Sequence, residues 1–453
     1  MVDPGSWRFR FVRWLARLML KSQYRVIEVE GAERVPKEGA VLLLANHFSS
    51  LVDSMALLDA SPRPAAFLAK APLWKIPPLR FFLEATGALP VYRQQDVAEN
   101  EGRTVRANMK TVEVCRERLA AGGSLALFPE GVSQPRPRLM PLRTGAARMA
   151  LDAKAEVSIC PVGLVYERGR FGRRGKLLVR FGEPWSVNGI EGFPSRRAAI
   201  TATTRSIESS LKGLLAEAPS QSDLETMQVL RVVWDQEEGR PPPRSFAEEH
   251  RRIRDFASAL AELRSVAPKL LDEVRASADD YMRALALAGI PAENVPTRYS
   301  AGRVLKYVLK NLPFAIIGIP VGLLAAIVTW PIRKAGDVVA MRELGGTEDM
   351  RTLCRMLGVG ALLVVIMVAL GLFAWFKWGL GWGLAVLIGL PVLLAVHVWW
   401  RDRGMELLIE VRCFLLLAGG NLRGELLRYR KALYGLLVRA QERLARASKD
   451  AAA

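Results

Sequence analysis

A histidine and an aspartate six residues apart, His47 and Asp53, follow directly on the apolar run Leu42-Leu43-Leu44-Ala45. Histidine takes a proton from a hydroxyl near neutral pH, and a carboxylate on its other ring nitrogen fixes the tautomer and stabilises the imidazolium that forms. The pair therefore fits a general base with its orienting partner. The same residues also spell a helix start, Ser50-x-x-Asp53, in which the serine caps and the aspartate favours the positive end of the dipole. With three histidines in 453 residues, one at the mouth of a strand is a marked position.

On a regular helix, residues i and i+6 lie about 120 degrees apart, so His47 and Asp53 would not share a face. His47 must then precede the helix, with Asp53 in its first turn pointing back. The elements around the pair follow from hydropathy. Residues Trp7 to Gln23 interleave Trp7, Phe11, Trp14, Leu15 and Leu18 with five basic residues at helical spacing, the pattern of a basic helix lying in a lipid interface or docking with a solvated face. Apolar runs at 25–29, 41–46, 65–69, 87–92, 124–128, 157–165 and 177–181 read as strands, and 104–120 and 145–153 as helices between them. That is an α/β domain over residues 24–219.

A helical region at 220–302, split by Pro241-Pro242-Pro243, comes next. Three apolar stretches then follow, 312–330, 356–376 and 380–400, each near the ~20 residues that enter a bilayer. Residues 303–402 thus read as membrane-embedded helices and 403–453 as an amphipathic, arginine-rich tail. Pro313, Pro320 and Pro331 punctuate the first stretch. Basic residues flank it on both sides, so a re-entrant segment obeys the positive-inside tendency better than a third full span.

Charge and composition narrow the classes. A net charge of +19 suits nucleic acid or an anionic membrane, and 51% hydrophobic residues with eleven tryptophans favour the membrane. Zinc-finger spacing and RNA-recognition signatures are absent, so nucleic acid is set aside as a partner. The four cysteines are too scattered for a metal site or a disulfide framework, which points to a reducing compartment.

Three blocks follow Asn46-His47 in order: Gly87-Ala88-Leu89-Pro90-Val91-Tyr92-Arg93, Phe128-Pro129-Glu130-Gly131 and Cys160-Pro161-Val162-Gly163. In order, spacing and content they resemble the four motifs of the glycerolipid acyltransferases, which move a fatty acyl chain from a thioester to the hydroxyl of a glycerol phosphate or lysophospholipid. The usual histidine–aspartate spacing in that family has four intervening residues, and here there are five. The fungal-type glycerol-3-phosphate and dihydroxyacetone-phosphate acyltransferases are similar in this longer spacing and in the block running from Glu130 to Ala147.

The resemblance implies an α/β acyltransferase domain with a helical linker region and C-terminal membrane helices. His47 is then the base and Asp53 its orienting group. Arg93, Arg143 and Lys70 are candidates for the acceptor phosphate, for which an arginine offers a planar fork and a lysine a point charge. Gly131 allows backbone to approach substrate, Glu130 positions the acceptor or a basic neighbour, and Pro161 shapes an acyl pocket. No metal or cofactor is implied beyond the donor, acyl-CoA or acyl carrier protein. The acceptor is glycerol 3-phosphate, with lysophosphatidate or another lysophospholipid as the alternative. The chain is expected in a bacterial inner membrane with this domain facing the cytoplasm. A competing class is a membrane protein that binds lipid or acyl carrier without catalysis. The cluster Arg168, Arg170, Arg173, Arg174 and Lys176 is open to three readings: lipid headgroups, coenzyme A phosphates or an acidic carrier protein.

Overall fold

The computed structural model describes residues 3–92, 101–169, 173–297, 301–343, 348–418 and 420–452. Its contacts divide it into two compact units. The first comprises residues 1–168, 175–225 and 243–257, and the second 169–174, 226–242 and 258–453.

The first unit is built on one mixed sheet. Strands β1 (Tyr24–Glu30), β2 (Ala40–Ala45), β3 (Ala66–Lys70), β4 (Leu89–Val91), β5 (Ser124–Leu127), β6 (Val157–Glu167) and β7 (Gly175–Phe181) lie in the order β1-β7-β6-β2-β5-β3-β4. The short β8 (Trp185–Val187) pairs antiparallel with the start of β6. The pairings β2–β5, β2–β6, β3–β5 and β3–β4 are parallel, whereas β6 and β7 form an antiparallel hairpin.

β2 reads as unbroken apolar sequence because both of its faces are covered. Ala40, Leu42 and Leu44 share a core with Cys115 and Leu119 of α4 (Glu101–Ala120), Ala147 and Ala150 of α5 (Gly145–Leu151) and Ile207 of α6 (Arg196–Lys212). Val41 and Leu43 alternate to the opposite face and are equally buried. The helices α1 (Trp7–Gln23), α2 (Leu51–Ala60) and α3 (Pro77–Ala85) complete this unit. Helix α1 keeps the sequence-derived bounds. It buries Phe9, Val12, Ala16 and Leu20 and leaves Trp7, Phe11, Trp14 and Leu18 exposed, with Trp7 and Phe11 against Phe81 of α3.

The region after residue 220 holds three helices where the sequence suggested two: α7 (Gln221–Glu237), α8 (Phe246–Val266) and α9 (Pro268–Ala288). Pro268 supplies no N–H and has its φ preset, so it starts a new helix rather than continuing the old one. Within the second unit Arg430 of α13 (Asn421–Ala452) is fully buried. It donates to Glu237 at 2.5 Å and to the carbonyls of Val233 and Ala292, so its charge and fork are both satisfied.

The apolar segments lie in α10 (Ala301–Glu343), α11 (Glu348–Trp378) and α12 (Leu380–Leu417). Among the described residues α12 alone is by itself long and apolar enough to cross a bilayer. The parts of α10 at Val304–Phe314 and Ile316–Ile327 reach that length only together, and Val364–Trp378 of α11 is apolar but shorter. Among the described residues the three apolar stretches thus correspond to one bent pair, one shorter apolar segment and one long helix. The bend in α10 is 50° and follows Pro313, which removes a helical hydrogen bond and crowds the carbonyl four residues back. The chain continues as helix beyond the bend. Gly318 and Gly322 take the indole of Trp400 where side chains would otherwise stand, and Gly383 brings α12 within close range of Gly371 on α11.

Candidate active site

All the candidate loops leave the sheet at one edge. His47 follows β2, Lys70 ends β3, Tyr92 follows β4, and Phe128-Pro129-Glu130 follows β5. These are the carboxyl ends of neighbouring parallel strands, the place where open α/β sheets build sites.

Asn46 extends β2 by one residue using its side chain. Its amide donates to the Leu164 carbonyl at 3.0 Å and accepts from the Leu164 N–H at 2.7 Å, so it mimics a backbone ladder and fixes the start of the loop. His47 then stands with its ring stacked on Phe128, centroids 4.1 Å apart at 11°. Its Nδ1 lies 2.8 Å from Asp53 Oδ2. An ionised carboxylate only accepts, so Nδ1 carries the proton and Nε2 presents its lone pair outward. Asp53 has no exposed side-chain surface and His47 keeps 16%. The dyad therefore has a buried anchor and an accessible base.

Asp53 sits in the first turn of α2, as its spacing from His47 demands. The helix-cap reading of Ser50 is not realised. Ser50 makes no side-chain cap bond, and the Asp53 carboxylate instead accepts the Ser49 N–H at 2.7 Å. The additional residue is absorbed at Ser50 itself, whose φ of 44° is the only positive value among the described non-glycine residues. Such a conformation costs on the order of 1–3 kcal/mol and survives where neighbours fix it. Here Ser133 Oγ accepts the Ser50 N–H at 2.9 Å.

Glu130 is held between two loops. It is buried, and its two oxygens accept the backbone N–H groups of His47 at 2.6 Å and Met140 at 2.9 Å. It ties the residue that bears the imidazole to the loop that follows β5. Burial pushes its carboxyl above the usual range, against the two hydrogen bonds that favour the charge. Glu130→Ala leaves two buried donors without an acceptor. We expect about 1–3 kcal/mol of destabilisation, read as a lower Tm, with a larger loss of activity than of folded protein.

Gly131 requires its residue type. Its φ is +68°, and a Cβ there would meet Cδ and Nε of Arg143 at 2.8 Å. The Arg143 side chain thus lies across Gly131, held by its own N–H on the Pro129 carbonyl at 2.8 Å. Its guanidinium makes no ion pair among the described residues. Lys70 is half-buried and in register with Val91. Arg93 lies outside the described residues. The position before it is clamped, since Asn108 of α4 bonds both the N–H and the carbonyl of Tyr92 at 2.9 and 2.6 Å. Pro161 is buried within β6 opposite Leu44, with its ring filling the space beside Gly182.

Most of the basic hairpin cluster is neutralised. Arg174 pairs with Asp402 at 2.6 Å, Arg173 with Glu406 at 3.7 Å, and Lys176 with Glu249 and Glu167 at 2.7 and 3.1 Å. Arg170 lies outside the described residues. Two residues of the site had no signal in their spacing. Asn46 was read only as a motif letter, and Tyr166, whose hydroxyl donates to Asp53 Oδ1 at 2.5 Å, lies 113 positions from its partner.

A buried carboxylate and a part-buried imidazole thus stand at the strand ends beside a loop that turns at Gly131. Residues 26–165, which contain this site, match the Acyltransferase family model and form an acyltransferase domain. The chain is 26% identical over 269 residues to glycerol-3-phosphate O-acyltransferase 2 of Saccharomyces cerevisiae, covering 54% of this chain and 35% of that protein. It is 31% identical over 142 residues to the 1-acyl-sn-glycerol-3-phosphate acyltransferase of Borreliella burgdorferi, covering 30% of this chain and 50% of that one. The chain thus spans half or less of the length of these relatives. Among solved structures, the 1-acyl-sn-glycerophosphate acyltransferase PlsC from Thermotoga maritima matches with 21% identity and a TM-score of 0.35, covering 47% of this chain and 83% of that one.

Proposed function

We propose that this chain transfers a fatty acyl group from the thioester of acyl-CoA or acyl carrier protein to the hydroxyl of glycerol 3-phosphate. The observation that carries the reading is the His47–Asp53 pair at 2.8 Å, with Nε2 open beside the loop that bears Gly131 and Arg143. Nε2 takes the hydroxyl proton while the oxygen attacks the thioester carbonyl carbon, giving a tetrahedral oxyanion. Collapse of that species breaks the C–S bond, and the leaving thiolate takes the proton back from the imidazolium. A thioester is already activated, so these steps call on side chains alone.

Glycerol 3-phosphate is favoured as acceptor because the similarity to the yeast glycerol-3-phosphate acyltransferase extends over 54% of this chain, beyond the catalytic motifs. Lysophosphatidate is the second reading, supported by the higher identity over the shorter match. In both, Arg143 and Arg93 meet the phosphate, with Lys70 as a third cation. The exposed Trp7, Phe11, Trp14 and Leu18 of α1, interleaved with arginines, and the exposed Trp382, Ile388, Val392 and Trp399 of α12 support a lipid bilayer as the surrounding medium. The acidic lipids of a cytoplasmic leaflet suit the +19 charge.

The test is thiol release from acyl-CoA by detergent-purified protein across a panel of acceptors. Release that depends on glycerol 3-phosphate supports the reading, whereas a protein that only binds lipid releases none. Arg143→Ala should raise KM for a phosphate-bearing acceptor on the order of 10-fold and leave KM for an uncharged monoacylglycerol nearly unchanged. Equal effects on the two would take Arg143 out of the phosphate site.

A further inference from the structure

Asp53 is held from a third side. One oxygen, Oδ2, receives His47 Nδ1–H at 2.8 Å and Ser49 N–H at 2.7 Å. The other, Oδ1, receives the hydroxyl of Tyr166 at 2.5 Å. Tyr166 comes from the far end of β6, on the other side of β2 from the loop that carries Glu130. Its ring is stacked on Phe48 at 5.2 Å and 20°, and lies 5.8 Å from the ring of Tyr24. The aromatic packing leaves the hydroxyl one direction to point.

We propose that Tyr166 is a positioning residue for the base: its hydroxyl locks the Asp53 carboxylate so that Oδ2 aims His47, and it withdraws negative charge from the carboxylate. This rests on the acyl-transfer reading for its consequence and on geometry for its existence. A carboxylate with only one oxygen engaged can rotate about its Cβ–Cγ bond and carry the imidazole with it. With donors on both oxygens it cannot. Burial and the neighbouring Asp53 charge push the Tyr166 phenol well above its ordinary range, so it remains a donor at every pH at which the protein works. Packing also tunes the base, because a carboxylate that shares its charge with a phenol stabilises an imidazolium less than a bare one does.

Four titratable groups of the first unit face His47 or its partner. They are Asp53 of α2, Glu130 after β5, Tyr166 of β6 and Tyr24 at the start of β1. Of the two tyrosines, only Tyr166 is hydrogen-bonded to Asp53 among the described residues. Tyr24 packs on the same ring without that bond, which makes it the matched control.

The experiment compares Tyr166→Phe with Tyr24→Phe in the full chain in detergent, by two readouts. The first is the acyl-transfer rate against pH. Tyr166→Phe should lower the plateau on the order of 10-fold, and it should move the acid limb to higher pH, because a more charged Asp53 retains the imidazolium longer and the base must be neutral to act. The second needs no turnover. In protein carrying 15N-labelled histidine, three side chains give signals, and His47 is the one that vanishes in His47→Ala. Its titration midpoint should rise by roughly half a unit to one unit in Tyr166→Phe and stay in place in Tyr24→Phe. An unmoved His47 midpoint in Tyr166→Phe overturns the inference, as does an equal shift in both variants. A shifted midpoint in a protein that transfers no acyl group sustains the inference and overturns the acyl-transfer reading instead.

Discussion

Replacement of His47 by alanine is expected to lower kcat for acyl transfer by a factor on the order of 10² to 10⁴, with KM for glycerol 3-phosphate nearly unchanged. The size follows from the role. With Nε2 gone, the acceptor hydroxyl must lose its proton to water, and the loss is felt in the transition state rather than in binding. Stability should change little, because the ring keeps 16% of its surface exposed and the backbone N–H still reaches Glu130. A near-normal rate in a correctly folded His47→Ala protein would remove His47 from the chemistry. The stacked Phe128 ring then loses its partner face, so a small drop in Tm is expected and is not evidence against the role.

The parts of this molecule legible in the sequence are those fixed by near neighbours. Strand β2 could be read because six consecutive apolar residues ending before Asn46 have no other comfortable place than the middle of a sheet. Helix α1 could be read end to end because its apolar residues recur at the helical period. The seven short apolar runs of the α/β domain became strands β1 to β7, while β8 is three residues long and carries too little pattern to be recognised. The break between α8 and α9 was hidden because Ala267-Pro268 interrupts a pattern that is helical on both sides.

The site divides along the same line. His47, Asp53 and the turn between them are local, and the geometry of a helix already required the histidine to stand before it. What escaped is long-range. Glu130 bonds a backbone group 83 residues away, Asn46 one 118 residues away and Tyr166 a carboxylate 113 residues away. Periodicity carries no information about which distant backbone amide a buried carboxylate will meet. Glu130 illustrates the consequence: its burial obliges it to satisfy backbone donors, here the N–H groups of His47 and Met140, which no local pattern identifies. Apolar length was legible too, but it does not report on the angle of a bend, which after Pro313 is 50°.

Asp53→Asn should cost on the order of 10³ to 10⁴ in kcat, as much as losing the base or more. The carboxylate accepts three donors, namely His47 Nδ1–H, the Ser49 N–H and the Tyr166 hydroxyl. An asparagine there has one oxygen and one NH2 group, so all three partners can be satisfied only if one of them changes from donor to acceptor. If the oxygen stays toward Ser49 and His47, the amide NH2 meets Tyr166, whose hydroxyl can turn and accept. If the oxygen goes to Tyr166, the NH2 faces Nδ1, which must then lose its proton, and the proton moves to Nε2, where the acceptor hydroxyl needs a lone pair. The second arrangement abolishes the base without moving an atom of the backbone. The first preserves the tautomer but not the charge that stabilises the imidazolium, so the acid limb of the rate profile should move to lower pH, opposite in sign to Tyr166→Phe. Because the Asp53 side chain has no exposed surface, the mismatch should also cost about 1–3 kcal/mol of stability, read as a lower Tm. A rate within tenfold of wild type would mean that Asp53 holds the loop without orienting the base.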